Sequence, residues 1–250
     1  MSDVFKSTSA YTAVNSTAGS KQTRNSLSLI TTDGQHPARC QVETFIANGF
    51  ATHYNAHICS FMPVLIALEV NGVKAAVGAR CAFERNATNP LFIEQYLTVP
   101  VEKALLEMGI TVSRQKIAEV GNLFSSASRY TLPLLLSLFV LLKNSGTEYL
   151  VFSATEKLQK MLDAAGIPLV TLANADKAKL MSKGDNWGSY YETTPKVMAL
   201  SLRDVTRHVT ANGPLHSYYQ QAMALIATSA SELPHFDLIR SKQNEAPYVA

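Results

Sequence analysis

The chain has 250 residues, 47% hydrophobic and 16% charged, enough for one large domain or two small ones around a buried core, and it is too apolar to be disordered throughout. Its 22 basic and 19 acidic side chains leave only +3, with no basic stripe, which argues against a nucleic-acid binder; the light charging points to an apolar ligand. Cys40, Cys59 and Cys81 have no CxxC spacing, which argues against a disulfide framework or zinc site and fits a reducing, cytoplasmic compartment.

In chain order, residues 1–26 are Ser, Thr, Ala and Asn with scattered basic groups, and read as a flexible arm. No apolar segment followed by a cleavage site stands there, so no secretory leader is expected. Order is expected from Leu27, with LSLITT a strand and Asp33 to Pro37 a turn into a helix whose first turn holds Pro37. The inward stripe of that helix is Val42, Phe45, Ile46, Phe50 and His53. FMPVLIALEV and VKAAVGARCAF flank Asn71-Gly72, the pair favoured where both central turn residues need positive φ, so they form a β-hairpin. A polar loop, ERNATNP, leads to a segment whose later part places Val101, Ala104, Leu105 and Met108 on one helical face.

The stretch SRQKIAEVGNLFSS reads as a strand broken by Glu119 and Gly121, followed by a helix from Tyr130 to Asn144 and a strand from Thr147 to Phe152. A helix from Ser153 to Ala165 has capping-box spacing at Ser153 and Glu156, Gly166 suits its C-terminal left-handed position, and Pro168 forbids continuation. PLVTLAN and KVMALSL are further strands, and a last helix runs near Leu215 to Ala227. The apolar run Thr131 to Leu142 is about 12 residues, short of the roughly 20 that span a bilayer. Being apolar all round, Leu134 to Leu141 must be covered, by core, an acyl-chain cavity or a dimer interface. A hairpin followed by strand–helix units predicts a mixed central sheet with helices on both faces, a three-layer α/β/α domain.

VGARCAFERNATNPLFIEQYLTVPVEKAL, IAEVGNLFSS and WGSYYETTPKV resemble the bacterial thermostable hemolysin family, a likeness spanning about residues 50–202. That family is similar in turn to acyl-homoserine-lactone synthases and, more distantly, to GNAT-type N-acetyltransferases. The resemblance implies a GNAT-like acyltransferase domain over 27–202, with residues 203–250 a C-terminal helical extension and tail. It also implies transfer of a fatty acyl group from a thioester to a small amine or amino-acid-like acceptor. Where the lactone synthases carry a Glu-Leu-Ser-Arg strand, this chain has Glu119-Val120-Gly121-Asn122, which keeps the glutamate and replaces the arginine.

On that reading Glu119 takes the acceptor's proton, Asn122 orients substrate, and Tyr190 or Tyr191 protonates the leaving thiolate. The mid-strand Gly121 marks a bulge whose N–H groups, near Val120 to Leu123, would hold the thioester carbonyl. The acetyltransferases' glycine-rich pyrophosphate loop is replaced by Ser125-Ser126-Ala127-Ser128-Arg129, a loop suited to one phosphate at a helix start. The donor is therefore expected to be acyl-phosphopantetheine, on acyl-carrier protein rather than as acyl-CoA, with no resident cofactor. Arg80, Glu94, Trp187 and Tyr191 are the candidate acceptor contacts, with Glu94 the possible partner of Arg80. The six His show no HExxH or similar spacing and no GxSxG elbow occurs, which argues against metal and serine-hydrolase mechanisms. The alternatives are direct membrane lysis by the Leu-rich helix and non-catalytic acyl binding.

Overall fold

The computed structural model describes residues 27–82, 90–181 and 185–229. The expected arm, most of the ERNATNP loop and the C-terminal tail lie outside them. Seven strands, β1 (Ser28–Thr32), β2 (Val64–Glu69), β3 (Val73–Cys81), β4 (Ile117–Ser125), β5 (Tyr149–Ala154), β6 (Val170–Asn174) and β7 (Lys196–Ser201), form one sheet in the order β1-β2-β3-β4-β5-β7-β6. Neighbours are antiparallel except β4 and β5, which run parallel. The hairpin turns where expected, with Asn71 at φ 51° and Gly72 at φ 96°.

Six helices cover the sheet: α1 (Arg39–Tyr54), α2 (Val101–Glu107), α3 (Ser128–Asn144), α4 (Glu156–Ala164), α5 (Leu202–Ala211) and α6 (Gly213–Thr228). Strand alternation assigns them to two faces. Ala118, Val120, Leu150 and Phe152 pack with Leu134 and Leu138 of α3, Leu162 of α4, Val205 and Val209 of α5, and Leu215 and Ala222 of α6. On the other face Leu65, Ala67 and Ala76 pack with Val42, Ile46 and Phe50 of α1, while Ile117, Val151 and Val197 pack with Val101 and Leu105 of α2. This is the three-layer α/β/α domain with a mixed sheet that the sequence predicts.

The run from Pro133 to Leu142 is buried in α3, and no helix among the described residues is long and apolar enough to cross a membrane. Three local expectations need correction. Pro37 precedes α1, whose N-cap is Ala38. Ser153 belongs to β5, and α4 is capped instead by Thr155, whose hydroxyl accepts the Leu158 N–H at 3.4 Å. Met108 follows α2 and is 52% exposed rather than part of its inner face. The separate helix α5 was not expected; Ser201 ends β7 and caps α5 by accepting the Asp204 N–H at 3.2 Å, so no loop separates the two.

Candidate functional site

The parallel ladder between β4 and β5 lasts only four residues, ending at Val120 opposite Phe152. Beyond it the β5-facing edge of β4 has no strand partner, and the sheet opens. The cause is an extra residue in β4. Phe124 lies opposite Ala76 and Gly121 opposite Gly78, so three steps along β4 match two along β3. Asn122 absorbs the bulge at φ 51°, a left-handed conformation that Asn tolerates better than most side chains. Its amide is fixed there, Oδ1 accepting the Met62 N–H at 2.8 Å and Nδ2 donating to the Ser60 carbonyl at 3.2 Å.

The bulge therefore falls one residue beyond Gly121, the residue that signalled it. Gly121 serves close packing instead, since a Cβ there would lie 2.7 Å from Met62 Cε. The extra residue also inverts the alternation. Val120 and Leu123 both pack toward α3, while Phe124 turns to α1, where a Cβ on Gly49 would come within 2.3 Å of its ring.

A cavity of about 160 Å³ occupies the opening and passes through the sheet. On the α3 and α4 side it is lined by Val120, Leu135, Phe139, Phe152, Leu158 and Leu162, an apolar set with Thr155 at the start of α4. On the α1 side it meets aromatic rings from Phe50, Tyr54, Phe92, Tyr96, Trp187, Tyr190 and Tyr191, together with Ser60, Met62 and Asp185. Tyr190 is the hub of this cage, its ring centroid 5.3 Å from those of Tyr54 and Tyr191 and 5.5 Å from Trp187. The segment carrying it is fastened to the end of α1. His57 and Asn186 exchange backbone hydrogen bonds of 2.6 and 2.8 Å, and the Ser189 N–H donates to the Tyr54 carbonyl at 2.8 Å. Gly188, at φ 49°, lies so close that a Cβ would fall 1.9 Å from the Tyr54 oxygen.

Glu119 lies under this cage, 1% exposed. It faces Arg80 across β3 and β4, and its Oε2 accepts from Arg80 Nε and Nη2, both at 2.8 Å, and from the Phe92 N–H at 2.9 Å. Oε1 accepts the Ile93 N–H at 2.8 Å. Holding a buried guanidinium and two backbone N–H groups, Glu119 anchors the Phe92–Ile93 turn. Arg80 does not line the cavity; it is the counterion of Glu119 and also donates to the Pro90 carbonyl at 3.0 Å.

Glu94 is not the partner of Arg80. It binds Arg114 Nη1 at 2.6 Å and Nη2 at 2.9 Å, and accepts the N–H groups of Leu91 and Val101, tying the turn to the start of α2. Burial alone would raise its carboxyl, but Arg114 and the two N–H donors hold it below the ordinary value. Ser125, Ser126 and Arg129 also lie off the cavity: the first two hydroxyls donate to the carbonyls of Ala127 and Lys74, and Arg129 sits over the ring of Tyr130. Of the residues singled out in the sequence, the cavity gathers Glu119, Val120, Gly121, Asn122, Leu123, Trp187, Tyr190 and Tyr191.

Burial pushes the phenols of Tyr190 and Tyr96 well above their ordinary value, and that of Tyr191 up to about 12. They are therefore hydroxyl donors at neutral pH. Tyr191 and Tyr96 share a 2.5 Å hydrogen bond, whereas the Tyr190 hydroxyl lies 3.4 Å from Ser153 Oγ, one residue past the end of the β4–β5 ladder. Asp185 was missed in the sequence. Its Oδ1 accepts the Cys59 N–H at 2.7 Å and lies 3.2 Å from Cys59 Sγ, a bond that raises the thiol above its ordinary value. An acid two residues before the only tryptophan, at the head of the aromatic segment, was the available signal.

Residues 32–206 match the family model described as thermostable hemolysin. No curated protein matches the chain. Among solved structures it is similar to the acyl-homoserine-lactone synthase LasI at 11% identity, covering 74% of this chain and 94% of that one with a TM-score of 0.49. The CoA-dependent acyl-homoserine lactone synthase BjaI, solved with SAM and isopentyl-CoA, is similar at 9% identity, 79% and 90% coverage and a TM-score of 0.49. FeeM, an N-acyl amino acid synthase from uncultured soil microbes, is similar at 12% identity, 72% and 95% coverage and a TM-score of 0.46.

Proposed function

The chain belongs to the thermostable hemolysin family, and we propose that it is an N-acyltransferase that moves a fatty acyl group from a phosphopantetheine thioester to a small amine. One observation carries this reading: the split between β4 and β5 joins an apolar half-cavity on one face of the sheet to an aromatic, carboxylate-bearing half on the other. A thioester needs the first for its acyl chain, an amine needs the second, and the two meet at the unpaired edge of β4 from Gly121 to Leu123.

N–H groups of that edge hold the thioester carbonyl and the oxyanion formed from it. The acceptor arrives as an ammonium, loses a proton to Asp185 directly or through water, and attacks the carbonyl carbon. The new C–N bond forms, the C–S bond breaks, the thiolate leaves with the proton of the Tyr190 hydroxyl, which sits at the opening beside Ser153, and the phenolate so formed takes the second proton from the nitrogen. The products are an amide and a free thiol. Glu119 and Asn122 act at one remove, as positioning residues that hold the 92–93 turn and the 60–62 segment against the bulge.

For the donor's phosphate, the first turn of α3 offers N–H groups without a side-chain cap, with Arg129 exposed beside them. That equipment suits one phosphate, which favours acyl-carrier protein over acyl-CoA. An amphiphilic N-acyl amine disrupts membranes by itself, which reconciles this chemistry with the family's description; lysis by purified protein should then require an acyl donor. The test is thiol release and product mass with matched acyl-CoA and acyl-carrier-protein donors and pooled amines. Amine-dependent release with a new amide mass supports the reading. Folded protein that releases no thiol, or only free fatty acid, overturns it.

A further inference from the structure

The acceptor half of the cavity has an uneven charge. Among the described residues that line the cavity, Glu119 and Asp185 are charged, and none is Lys, Arg or His. The carboxylate of Glu119 is neutralised by Arg80 on the next strand. Asp185 is in no ion pair among the described residues; its contacts are the N–H and thiol of Cys59. The rings of Trp187, Tyr190, Tyr191 and Tyr54 line the same cavity, and their π faces attract a cation.

An amino acid bound here would bring its own carboxylate into a cage whose described lining already carries a negative charge. No cationic side chain among the described lining residues would pair with it, and hydrogen bonds from phenols alone leave that charge uncompensated. Resting on the acyltransferase reading, we infer that the acceptor is a primary amine carried on an apolar or aromatic body and lacking a carboxylate, an arylalkylamine rather than an amino acid. Asp185 holds its ammonium and the rings enclose its body.

Trp187 is the only tryptophan of the chain and lies in the cage, so its emission reports occupancy without any reaction. Phenethylamine, phenylalanine and phenylalanine methyl ester present the same ring and amine with the carboxylate absent, free or masked. Titrated against wild type, phenethylamine and the ester should bind at least about tenfold more tightly than phenylalanine. Asp185→Asn, which keeps an acceptor for the Cys59 N–H, should weaken phenethylamine about tenfold and leave phenylalanine no weaker. Phenylalanine binding as tightly as phenethylamine, or no saturable change with any of the three, overturns the inference. The same compounds with both acyl donors separate this inference from the reading it rests on. Binding of the amine and ester with no amide formed would sink the transferase reading and keep the cation site; amide formed with phenylalanine alone would do the reverse.

Discussion

Replacing Glu119 with glutamine preserves shape while removing the charge and turning one oxygen into an N–H donor. Four donor groups converge on the native carboxylate, three on Oε2 and one on Oε1. Whichever way the amide is turned, its NH2 must face either the Arg80 guanidinium or a backbone N–H. The Arg80 side chain, 5% exposed, then lies buried against a neutral amide in place of a carboxylate. Removing one partner of such a pair costs about 3–5 kcal/mol. With a urea slope of about 2–3 kcal/mol per molar, the unfolding midpoint should fall by roughly 1–2 M. Urea titration followed by far-ultraviolet circular dichroism and by Trp187 emission measures it. Because the loss arises from the guanidinium facing a neutral amide, Arg80→Met combined with Glu119→Gln should recover about 2 kcal/mol or more relative to simple addition of the single variants. A Glu119→Gln protein within about 0.5 kcal/mol of wild type but without turnover would refute the anchor role and restore Glu119 as the proton acceptor.

Tyr190→Phe should lower kcat by about 10- to 100-fold with little change in KM, whereas Tyr191→Phe, which removes only the bond to Tyr96, should cost under about threefold; equal losses would contradict the assignment of Tyr190 as the acid. The pH dependence of stability follows from the phenols. Tyr191 ionises near 10 when unfolded and near 12 when folded, so its contribution is complete below pH 10 and is lost as pH rises toward 12. Urea midpoints between pH 8 and 11 should fall more steeply above 10 in wild type than in Tyr191→Phe. Gly188→Ala forces a Cβ against the Tyr54 carbonyl at a left-handed backbone position; a loss of about 2 kcal/mol or more with a red shift of Trp187 emission is expected. Leu158→Trp narrows the apolar half-cavity from its half-buried wall and should shift donor preference to acyl chains shorter by several carbons, read from relative kcat/KM.

What the sequence discloses and what it hides divide along physical lines. Local rules find the Asn71-Gly72 hairpin, the left-handed Gly166 after α4 and the alternating strands, because each depends on neighbours in the chain. Gly121 discloses a disturbed strand, but the residue that takes the positive φ is fixed by partners 62 and 60 positions away, the Ser60 carbonyl and the Met62 N–H. Charge pairing is hidden more deeply. Arg80 meets Glu119 and Glu94 meets Arg114 because of strand register and the path of the 92–96 turn, neither of which spacing specifies. Asp185 escaped because its partner, Cys59, is 126 positions away. The helix α5 escaped because Ser201 serves both strand and cap, leaving no turn signal between them.

The claim that one cavity is divided by the split sheet into an acyl half and an amine half is tested most directly by a crystal structure with an N-acyl phenethylamine product. The account predicts the acyl chain between α3 and α4 against Leu135 and Phe139, the amide at the unpaired edge of β4, and the phenethyl group within the cage of Trp187 and Tyr190. Density for the product in the reversed sense, or bound away from the opening between β4 and β5, would contradict it.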